Sequence, residues 1–308
     1  MKFELDAQFQ ERIRTVFKEE GEAWLEKLPG MLKELAKHWE LRLAEPISPL
    51  AYHFVCPAEG ADGGAHMLKL GVPRQELLNE IHTLEAYNGQ GFVRLERQEA
   101  EMGAMLLERL EPGESVLSVD GDRGQTHIFA QLLRQLPRIE SDASGMPSTA
   151  DWGLGLKRIR DNFPSSALPP NARLFDAAEN IYMEMCESQE AVFLLHGDLH
   201  HWNMLSSMDE WKAIDPQGVI AESSFEVGAW MRNPVGRIPR DSNVKQLLND
   251  RLAILQEQLG FDPQRMRAWA FSQCVLAACW SLEEGTESLG FFADWAEEMA
   301  EVYYPRQL

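Results

Sequence analysis

Residues 193–218 constrain the fold of this chain more than any other segment. They read FLLHGDLHHWNMLSSMDEWKAIDPQG, in which short apolar runs alternate with polar turns. The apolar run Ala191–Leu195 predicts a short buried strand, and His196–Asp198 follow at its end. Asn203 comes five residues after Asp198. The chain is therefore expected to leave a buried strand, present a carboxylate and place an amide one short loop later.

A second carboxylate returns to the same place by a hairpin. Met204–Ser206 and Glu210–Ile214 flank a polar turn, which is typical of two antiparallel strands. Such a hairpin brings Asp215 back beside Asn203. The alternative is that each aspartate is an ordinary turn residue at a strand end, and for a single aspartate that interpretation is preferable. The agreement of order, spacing and strand context favours one site over separate turns.

The residue types in this segment suit phosphoryl transfer. The histidine, aspartate and asparagine match the pattern H-x-D-x-x-x-x-N of kinase catalytic loops. The reaction needs a base near the attacking hydroxyl and oxygen ligands for Mg²⁺, because the protein mainly positions reactants and neutralises charge. Asp198 is the predicted base, and Asn203 and Asp215 are the predicted Mg²⁺ ligands. ATP is the predicted phosphoryl donor.

The same segment resembles the aminoglycoside phosphotransferase family, whose members carry H-G-D-x-x-x-x-N followed by an aspartate on the next strand. Within that family, the chain is similar to the streptomycin 6-kinase and hydroxyurea phosphotransferase branch. The strings that carry this similarity are, in chain order, Tyr87–Leu95, Leu106–Gly113, Ile214–Gly218, Phe225–Glu226, Arg232–Pro234 and Ala277–Glu283. The resemblance covers about residues 40–290.

The resemblance implies an α+β fold of the two-lobed, protein-kinase-like type, with a small antiparallel sheet lobe and a larger, mostly helical lobe. We expect residues 1–109 to hold N-terminal helices and the nucleotide-binding small lobe. Residues 110–308 are expected to hold the large lobe with the catalytic loop and the acceptor site. The resemblance also identifies Glu226 as the acid that holds the catalytic loop by accepting its backbone amides.

The predicted nucleotide site lies in the small lobe. Lys69, in the predicted strand His66–Leu70, is the candidate for binding the α and β phosphates, with Glu80 of the following helix as its ion-pair partner. Ser48 is the candidate contact in the phosphate-covering hairpin, because Glu45–Ala51 contains no glycine. That departure from a glycine-rich clamp leaves the choice between ATP and GTP open. A surface lysine and a solvated glutamate are the alternatives.

An apolar strand over Met105–Leu110 runs into Glu111–Gly113, a natural break between lobes. By resemblance this is the hinge, and main-chain groups around Glu108 and Leu110 would bind the adenine edge. An ordinary strand that ends in a turn is compatible with the same residues.

Hydrophobic periodicity predicts the remaining elements. Two N-terminal helices, Ala7–Lys27 and Gly30–Trp39, are interrupted at Pro29–Gly30 and pack on the small lobe. Further strands are predicted over 41–43 and 51–56, and helices over 74–87, 124–136, 153–163, 172–187, 243–259, 263–283 and 291–303.

Gly197 departs from the protein-kinase pattern. It stands where regulated protein kinases carry an arginine that pairs with a phosphorylated activation loop. Control by such a phosphorylation works through new arginine–phosphate pairs and is therefore not expected here.

Composition limits the partners. Lys+Arg 29 against Asp+Glu 49 give a net charge of −20, which disfavours nucleic acid and anionic membranes and favours cationic partners. The expected acceptor is a cationic or hydroxylated small molecule, although an acidic surface also serves solubility alone. The N-terminus has no basic start followed by an apolar stretch, and no window approaches a membrane span. A cytoplasmic protein is expected, and a monomer is compatible with the sequence.

The leading hypothesis is a kinase of the antibiotic-resistance type that transfers the ATP γ-phosphate to a hydroxyl of an aminoglycoside such as streptomycin. Hydroxyurea or another small metabolite, such as a sugar, choline or homoserine, is the first alternative. The second is a nucleotide-binding pseudokinase that acts as a scaffold, and the intact catalytic and metal residues argue against it. Fold alone does not define the substrate. Glu283, Glu284 and Glu287 are candidates for binding a cationic acceptor, with a solvated helix end as the alternative.

Overall fold

The computed structural model describes residues 3, 5–140, 145–237 and 243–304, and the chain divides into two compact units, Met1–Gly113 and Glu114–Leu308. The first unit contains α1 (Ala7–His38), β1 (Leu41–Leu43), β2 (Phe54–Gly60), β3 (Ala65–Leu70), α2 (Gln75–Tyr87), β4 (Leu95–Glu99) and β5 (Ala104–Glu108). The division falls within β6 (Pro112–Ser115), and the second unit continues with α3 (Asp122–Gln135), α4 (Thr149–Asn162), α5 (Ala172–Glu187), β7 (Phe193–Leu195), β8 (Met204–Ser207), β9 (Glu210–Ala213), β10 (Val219–Ala221), α6 (Val227–Met231), α7 (Val244–Leu259), α8 (Pro263–Glu284) and α9 (Ser288–Tyr303).

The first unit is built on a five-stranded antiparallel sheet in the order β1-β2-β3-β5-β4. Side chains of β2 alternate between buried and less buried positions, as the two-residue period of a strand requires. Lys69 pairs with Val55 on one side and with Met105 on the other. It therefore lies on an interior strand, where paired neighbours hold the backbone in place on both sides.

The N-terminal helix reverses direction at a different residue from the predicted one. α1 contains a kink at Lys18, whose φ of 52° and ψ of −128° are not helical, and Pro29 lies inside the helix beyond that kink. The prediction of a break at Pro29–Gly30 is therefore wrong. After the kink, Gly21 lies so close to the Ile13 carbonyl oxygen that a Cβ would be 2.4 Å from it. The two arms of α1 thus pack directly on each other.

Tertiary packing explains why the helix continues through Pro29. A proline in a helix interior removes one backbone hydrogen bond and strains the preceding turn. Leu28, Leu32 and Leu35 recur on one helix face, and each is at most 4% exposed in the core cluster that also contains the sheet. Because packing of an apolar face supplies most helical stability in proteins, this burial outweighs the local preference. The prediction that these helical segments pack on the small lobe is confirmed.

The second unit is mostly helical and centred on α8. Fourteen of the 22 residues of α8 are buried, as expected for a helix that is apolar on every side. α8 packs against α4, α5, α6 and α9. The strands outside the five-stranded sheet form two small sheets, β7-β10 and β6-β8-β9. A small sheet lobe and a larger helical lobe confirm the predicted α+β class.

None of the helices within the described ranges is long and apolar enough to cross a bilayer.

Candidate active site

The catalytic loop leaves a short buried strand, as the sequence predicts. β7 pairs with β10, with Leu195 opposite Val219. Gly197 follows with a φ of +83°, and a Cβ at this position would lie 2.9 Å from Trp152 and 3.0 Å from Val219. Glycine is required here both by the backbone conformation and by the lack of space. An arginine, as in regulated protein kinases, has no room at this position.

Glu226 holds the start of the loop. Its Oε2 accepts the His196 backbone N–H at 2.9 Å, and its Oε1 accepts the Gly197 N–H at 2.9 Å. The carboxyl is 1% exposed. Burial raises the pKa of Glu226 to about 7, and the backbone donors act in the opposite direction. The contacts match the structural role that the family resemblance implies.

His196 connects the loop to the turn after β9. Its Nε2 lies 2.8 Å from the Ile214 carbonyl oxygen, and its Nδ1 accepts the Asp198 N–H at 3.1 Å. Its own carbonyl oxygen accepts the Gln217 and Gly218 N–H groups at 2.9 and 3.1 Å. Burial lowers the pKa of His196 to about 4. The ring is therefore neutral, with its proton on Nε2, and it fixes two chain segments relative to each other.

The predicted base is held by a buried arginine. Arg232 Nη2 donates to Asp198 Oδ1 at 2.5 Å, and the Asp198 side chain is 26% exposed. Arg232 Nη1 donates to Gln273 Oε1 at 3.0 Å, and Gln273 Nε2 donates to the Phe225 carbonyl oxygen at 2.7 Å. One carboxylate oxygen of Asp198 is thus occupied by the arginine. The other, Oδ2, lies 3.5 Å from His200 Nε2.

Asn203 and Asp215 lie at facing ends of the hairpin formed by β8 and β9. Met204 pairs with Ala213, and the Ile214 N–H donates to the Asn203 carbonyl oxygen at 3.0 Å. Asn203 Nδ2 donates to the Asp198 carbonyl oxygen at 3.0 Å, so its amide oxygen remains as the acceptor. Asp215 follows directly with a φ of +57°, an uncommon backbone conformation for a residue other than glycine. An amide oxygen and a carboxylate are hard ligands that fit Mg²⁺.

In the first unit, the predicted contact between Lys69 and Glu80 is present. Lys69 Nζ lies 2.6 Å from Glu80 Oε1 and 2.8 Å from Oε2, with side-chain exposures of 3% and 6%. The pair joins the interior strand β3 to α2. The alternatives of a surface lysine and a solvated glutamate are therefore wrong, whereas a role in phosphate binding stays a prediction.

The predicted adenine-binding and phosphate-covering segments also lie in the first unit. Glu108 is the last residue of β5, and its Oε1 accepts the Arg94 backbone N–H at 2.8 Å. Leu110 is 9% exposed just after the strand ends. Ser48 lies, exposed, in the connection between β1 and β2. These positions are compatible with the predicted roles, which stay predictions.

The sequence did not assign a role to Arg232 or Gln273. Arg232 carries a charge at the end of the otherwise apolar run Val227–Met231, and a charged residue there is a signal for a buried ion pair. Gln273 could have been suspected in the same way, since it is a long polar side chain within the buried stretch of α8. Neither signal predicts which residue the buried side chain contacts. The contact with Asp198 spans 34 residues of sequence.

The acidic cluster proposed for the acceptor is in part already paired. Arg158 Nε and Nη2 donate to the two carboxylate oxygens of Glu283, at 2.5 and 2.7 Å. Burial raises the pKa of Glu284. A cationic acceptor would therefore have to compete with Arg158 for Glu283.

Similarity to solved structures agrees with this architecture. A choline/ethanolamine kinase family protein from Mesorhizobium loti matches with a TM-score of 0.64 at 12% sequence identity, and the match covers 91% of this chain and 96% of that one. The fold is therefore of the protein-kinase-like class.

The family model of the aminoglycoside/hydroxyurea antibiotic resistance kinases matches residues 42–285, and the chain belongs to that family. Streptomycin 6-kinase from Streptomyces glaucescens is 30% identical over 275 residues, which cover 89% of each chain. Hydroxyurea phosphotransferase from Kitasatospora aureofaciens is 31% identical over 284 residues, 87% of this chain and 77% of that one. The predicted family and branch are confirmed, as is the enzyme class, a phosphotransferase with an alcohol group as acceptor. Membership of a kinase family implies that ATP is used.

Proposed function

We propose that this protein transfers the γ-phosphate of ATP to a hydroxyl of streptomycin or a closely related aminoglycoside. The observation that carries the proposal is the geometry of Asp198. Its Oδ1 is occupied by Arg232 at 2.5 Å, while the side chain as a whole is 26% exposed. In this proposal the Oδ2 atom would accept the proton of an acceptor hydroxyl as the phosphoryl group is transferred.

The other predicted residues take the remaining roles. Asn203, through its amide oxygen, and Asp215 would hold Mg²⁺, and the nucleotide phosphates and water would complete its coordination. The ion supplies charge neutralisation on the phosphates when it is bound. Lys69, held by Glu80, would bind the α and β phosphates. Main-chain groups around Glu108 and Leu110 would bind adenine, and Ser48 would contact the phosphates.

The charge of the protein favours streptomycin over hydroxyurea. The net charge of −20 raises the local concentration of a cation such as streptomycin, which carries two guanidinium groups, but not that of neutral hydroxyurea. Hydroxyurea is the second candidate, because the hydroxyurea phosphotransferase is as similar to this chain, at 31% identity, as the streptomycin 6-kinase, at 30%. We place the reaction in the cytoplasm, where ATP is available.

The test is ATP consumption with Mg²⁺ over a panel of acceptors: streptomycin, other aminoglycosides, hydroxyurea, choline, homoserine and sugars. Asp198→Asn serves as the inactive variant, since asparagine keeps an acceptor for Arg232. We expect streptomycin-dependent turnover that disappears in Asp198→Asn, and mass spectrometry should find one added phosphate on the antibiotic. Turnover with hydroxyurea alone would support the second candidate. ATP binding without turnover on any acceptor would contradict both.

Ionic strength separates the two candidates further. If the acidic surface attracts the acceptor, KM for streptomycin should rise between about 50 and 300 mM salt, on the order of severalfold, because salt screens exposed charges. KM for hydroxyurea, measured in parallel, should not change. Equal salt dependence for both would mean that surface charge plays no part in acceptor choice.

A further inference from the structure

The connection between β1 and β2, residues 44–53, contains no glycine. It is held in place by hydrogen bonds to its neighbours. Two prolines, Pro46 and Pro49, fix backbone torsions within it and provide no N–H donor. The Ala44 N–H donates to the Pro57 carbonyl oxygen at 2.9 Å, and the Ile47 N–H donates to the Val55 carbonyl oxygen at 3.0 Å. The first half of the connection is therefore pinned to β2.

The second half of this connection is bound by the N-terminal helix. Arg12 Nη1 donates to the Leu50 carbonyl oxygen at 2.9 Å and to the Ala51 carbonyl oxygen at 3.3 Å. The Arg12 guanidinium carbon also lies 5.8 Å from the centre of the Tyr52 ring, within cation–π range. The Leu50 side chain is 5% exposed in the same core cluster as Phe9. The first arm of α1 thus anchors the connection through the Arg12 side chain, next to a buried Leu50.

The direction of these carbonyl groups determines where the neighbouring N–H groups point. A trans peptide unit is planar, and its N–H points opposite to its C=O. Because the Leu50 carbonyl is directed to Arg12, the N–H of Ala51 is directed away from α1. A phosphate oxygen is well bound by backbone N–H groups that are oriented in advance.

We propose that Arg12 is a positioning residue for nucleotide binding: it holds residues 48–51 in the conformation that offers the Ser48 hydroxyl and the Ala51 N–H to the nucleotide phosphates. The inference rests on the proposed function, in which this connection covers the phosphates. In this chain, a contact from α1 would take the place of the glycine-rich clamp that covers the phosphates in other kinases. Arg12 also lies outside residues 42–285, which match the family model.

The experiment measures direct binding of AMP-PNP with Mg²⁺, and of adenosine, to the full chain by titration calorimetry. The variants are Arg12→Ala, Arg12→Lys and Arg14→Ala. Arg14 is the matched control, because it lies on the same helix but pairs with Glu22 and Gln10 at the surface. Adenosine is the matched ligand, because it lacks phosphates and would not report on a phosphate contact.

We expect Arg12→Ala to weaken AMP-PNP binding about tenfold, the effect of losing one or two hydrogen bonds from a charged donor, while adenosine binding and the Arg14→Ala variant stay at the wild-type level. Arg12→Lys should recover part of the loss, since an ammonium group also donates to carbonyl oxygens. Equal weakening of AMP-PNP and adenosine would overturn the proposal in favour of a general structural role. So would wild-type binding of both ligands in Arg12→Ala.

Failure of the proposed function would look different. If the wild-type chain binds neither AMP-PNP nor adenosine, the nucleotide role of the fold is contradicted whatever Arg12 does. If Arg12→Ala does not fold, the same binding measurements are made with Arg12→Lys and Arg12→Gln. An unchanged ratio of AMP-PNP to adenosine affinity in both of those variants would overturn the proposal.

Discussion

Arg232 and Asp198 form an asymmetric ion pair: the guanidinium side chain is 5% exposed, whereas the carboxylate side chain is 26% exposed. Removing the buried partner therefore differs from removing the partly exposed one. A buried charge that loses its partner is strongly destabilising, whereas a solvated carboxylate keeps water as a partner. Because Arg232 is the buried partner, a variant of Asp198 is a fair inactive control only if it still offers Arg232 a hydrogen-bond acceptor.

Asp198→Ala should lower the free energy of unfolding by about 3 kcal/mol, because it leaves the Arg232 guanidinium buried without its carboxylate. Asp198→Asn keeps an oxygen acceptor for Arg232, so its loss of unfolding free energy should be less than half as large. Both variants should lose activity. Urea denaturation of the three proteins measures the difference. Equal stability of the two variants would mean that Arg232 does not depend on Asp198.

Arg232→Lys should reduce kcat by about 10- to 100-fold, because a lysine cannot contact Asp198 and Gln273 together, and small displacements of a catalytic group have effects of this size. KM for ATP should stay near the wild-type value. Arg160→Lys is the control, since Arg160 likewise contacts two side chains at once, Glu179 and Asp176, to which no role in the site is assigned. A parallel rise in KM for ATP in Arg232→Lys would argue for a general disturbance of the site.

Gly197→Ala should be among the most destabilising single changes in the second unit. The added Cβ meets Trp152 at 2.9 Å and Val219 at 3.0 Å, in addition to the cost of a φ of +83°. Gly260 has a φ of +69°, but no atom lies within 4 Å of the position that its Cβ would take, so Gly260→Ala isolates the torsional cost of about 1 kcal/mol. Thermal denaturation should place Gly197→Ala well below Gly260→Ala. Similar melting temperatures would contradict the steric argument.

Glu226 should give stability a distinctive pH dependence. Its pKa is about 7 in the folded protein and near 4.5 for an ordinary glutamate, so between these pH values the native state holds more protons than the unfolded state. The contribution of Glu226 to the free energy of unfolding therefore falls as pH rises from about 4.5 to 7. The difference in stability between wild type and Glu226→Gln should fall over the same range. A difference that does not change over this pH range would contradict the raised pKa of Glu226.

Lys69 and Glu80 should be energetically coupled. Lys69→Met removes the cation bound to Glu80, which is 4% exposed, and should cost about 3 kcal/mol of stability. The double variant Lys69→Met with Glu80→Gln should be more stable than the sum of the single changes predicts, by about 0.5–3 kcal/mol. ATP binding should stay weak in both variants that lack Lys69. Strict additivity of the stabilities would mean that the contact contributes nothing.

Local patterns in the sequence predicted most elements and the order of the chemistry. The bounds of α5 at Ala172–Glu187 coincide with the predicted ones, and the hairpin of β8 and β9 brings Asp215 to Asn203 as expected. These features depend on periodicity, turn residues and spacing over fewer than about 30 residues, which a sequence displays directly. The kink at Lys18 was missed because Pro29–Gly30 is the stronger local signal, and the burial that overrides it is not local.

The sequence by itself determined the family, the catalytic aspartate and the metal-binding pair as candidates, because kinase chemistry requires these residue types at this spacing. Only the tertiary structure decided that Arg232 meets Asp198 and that Arg12 meets the carbonyl oxygens of Leu50 and Ala51. Those contacts join residues 34 to 39 positions apart. No spacing rule selects such partners, since they arise where helices and strands with separate local signals pack together and bring polar groups from distant parts of the sequence within hydrogen-bond distance.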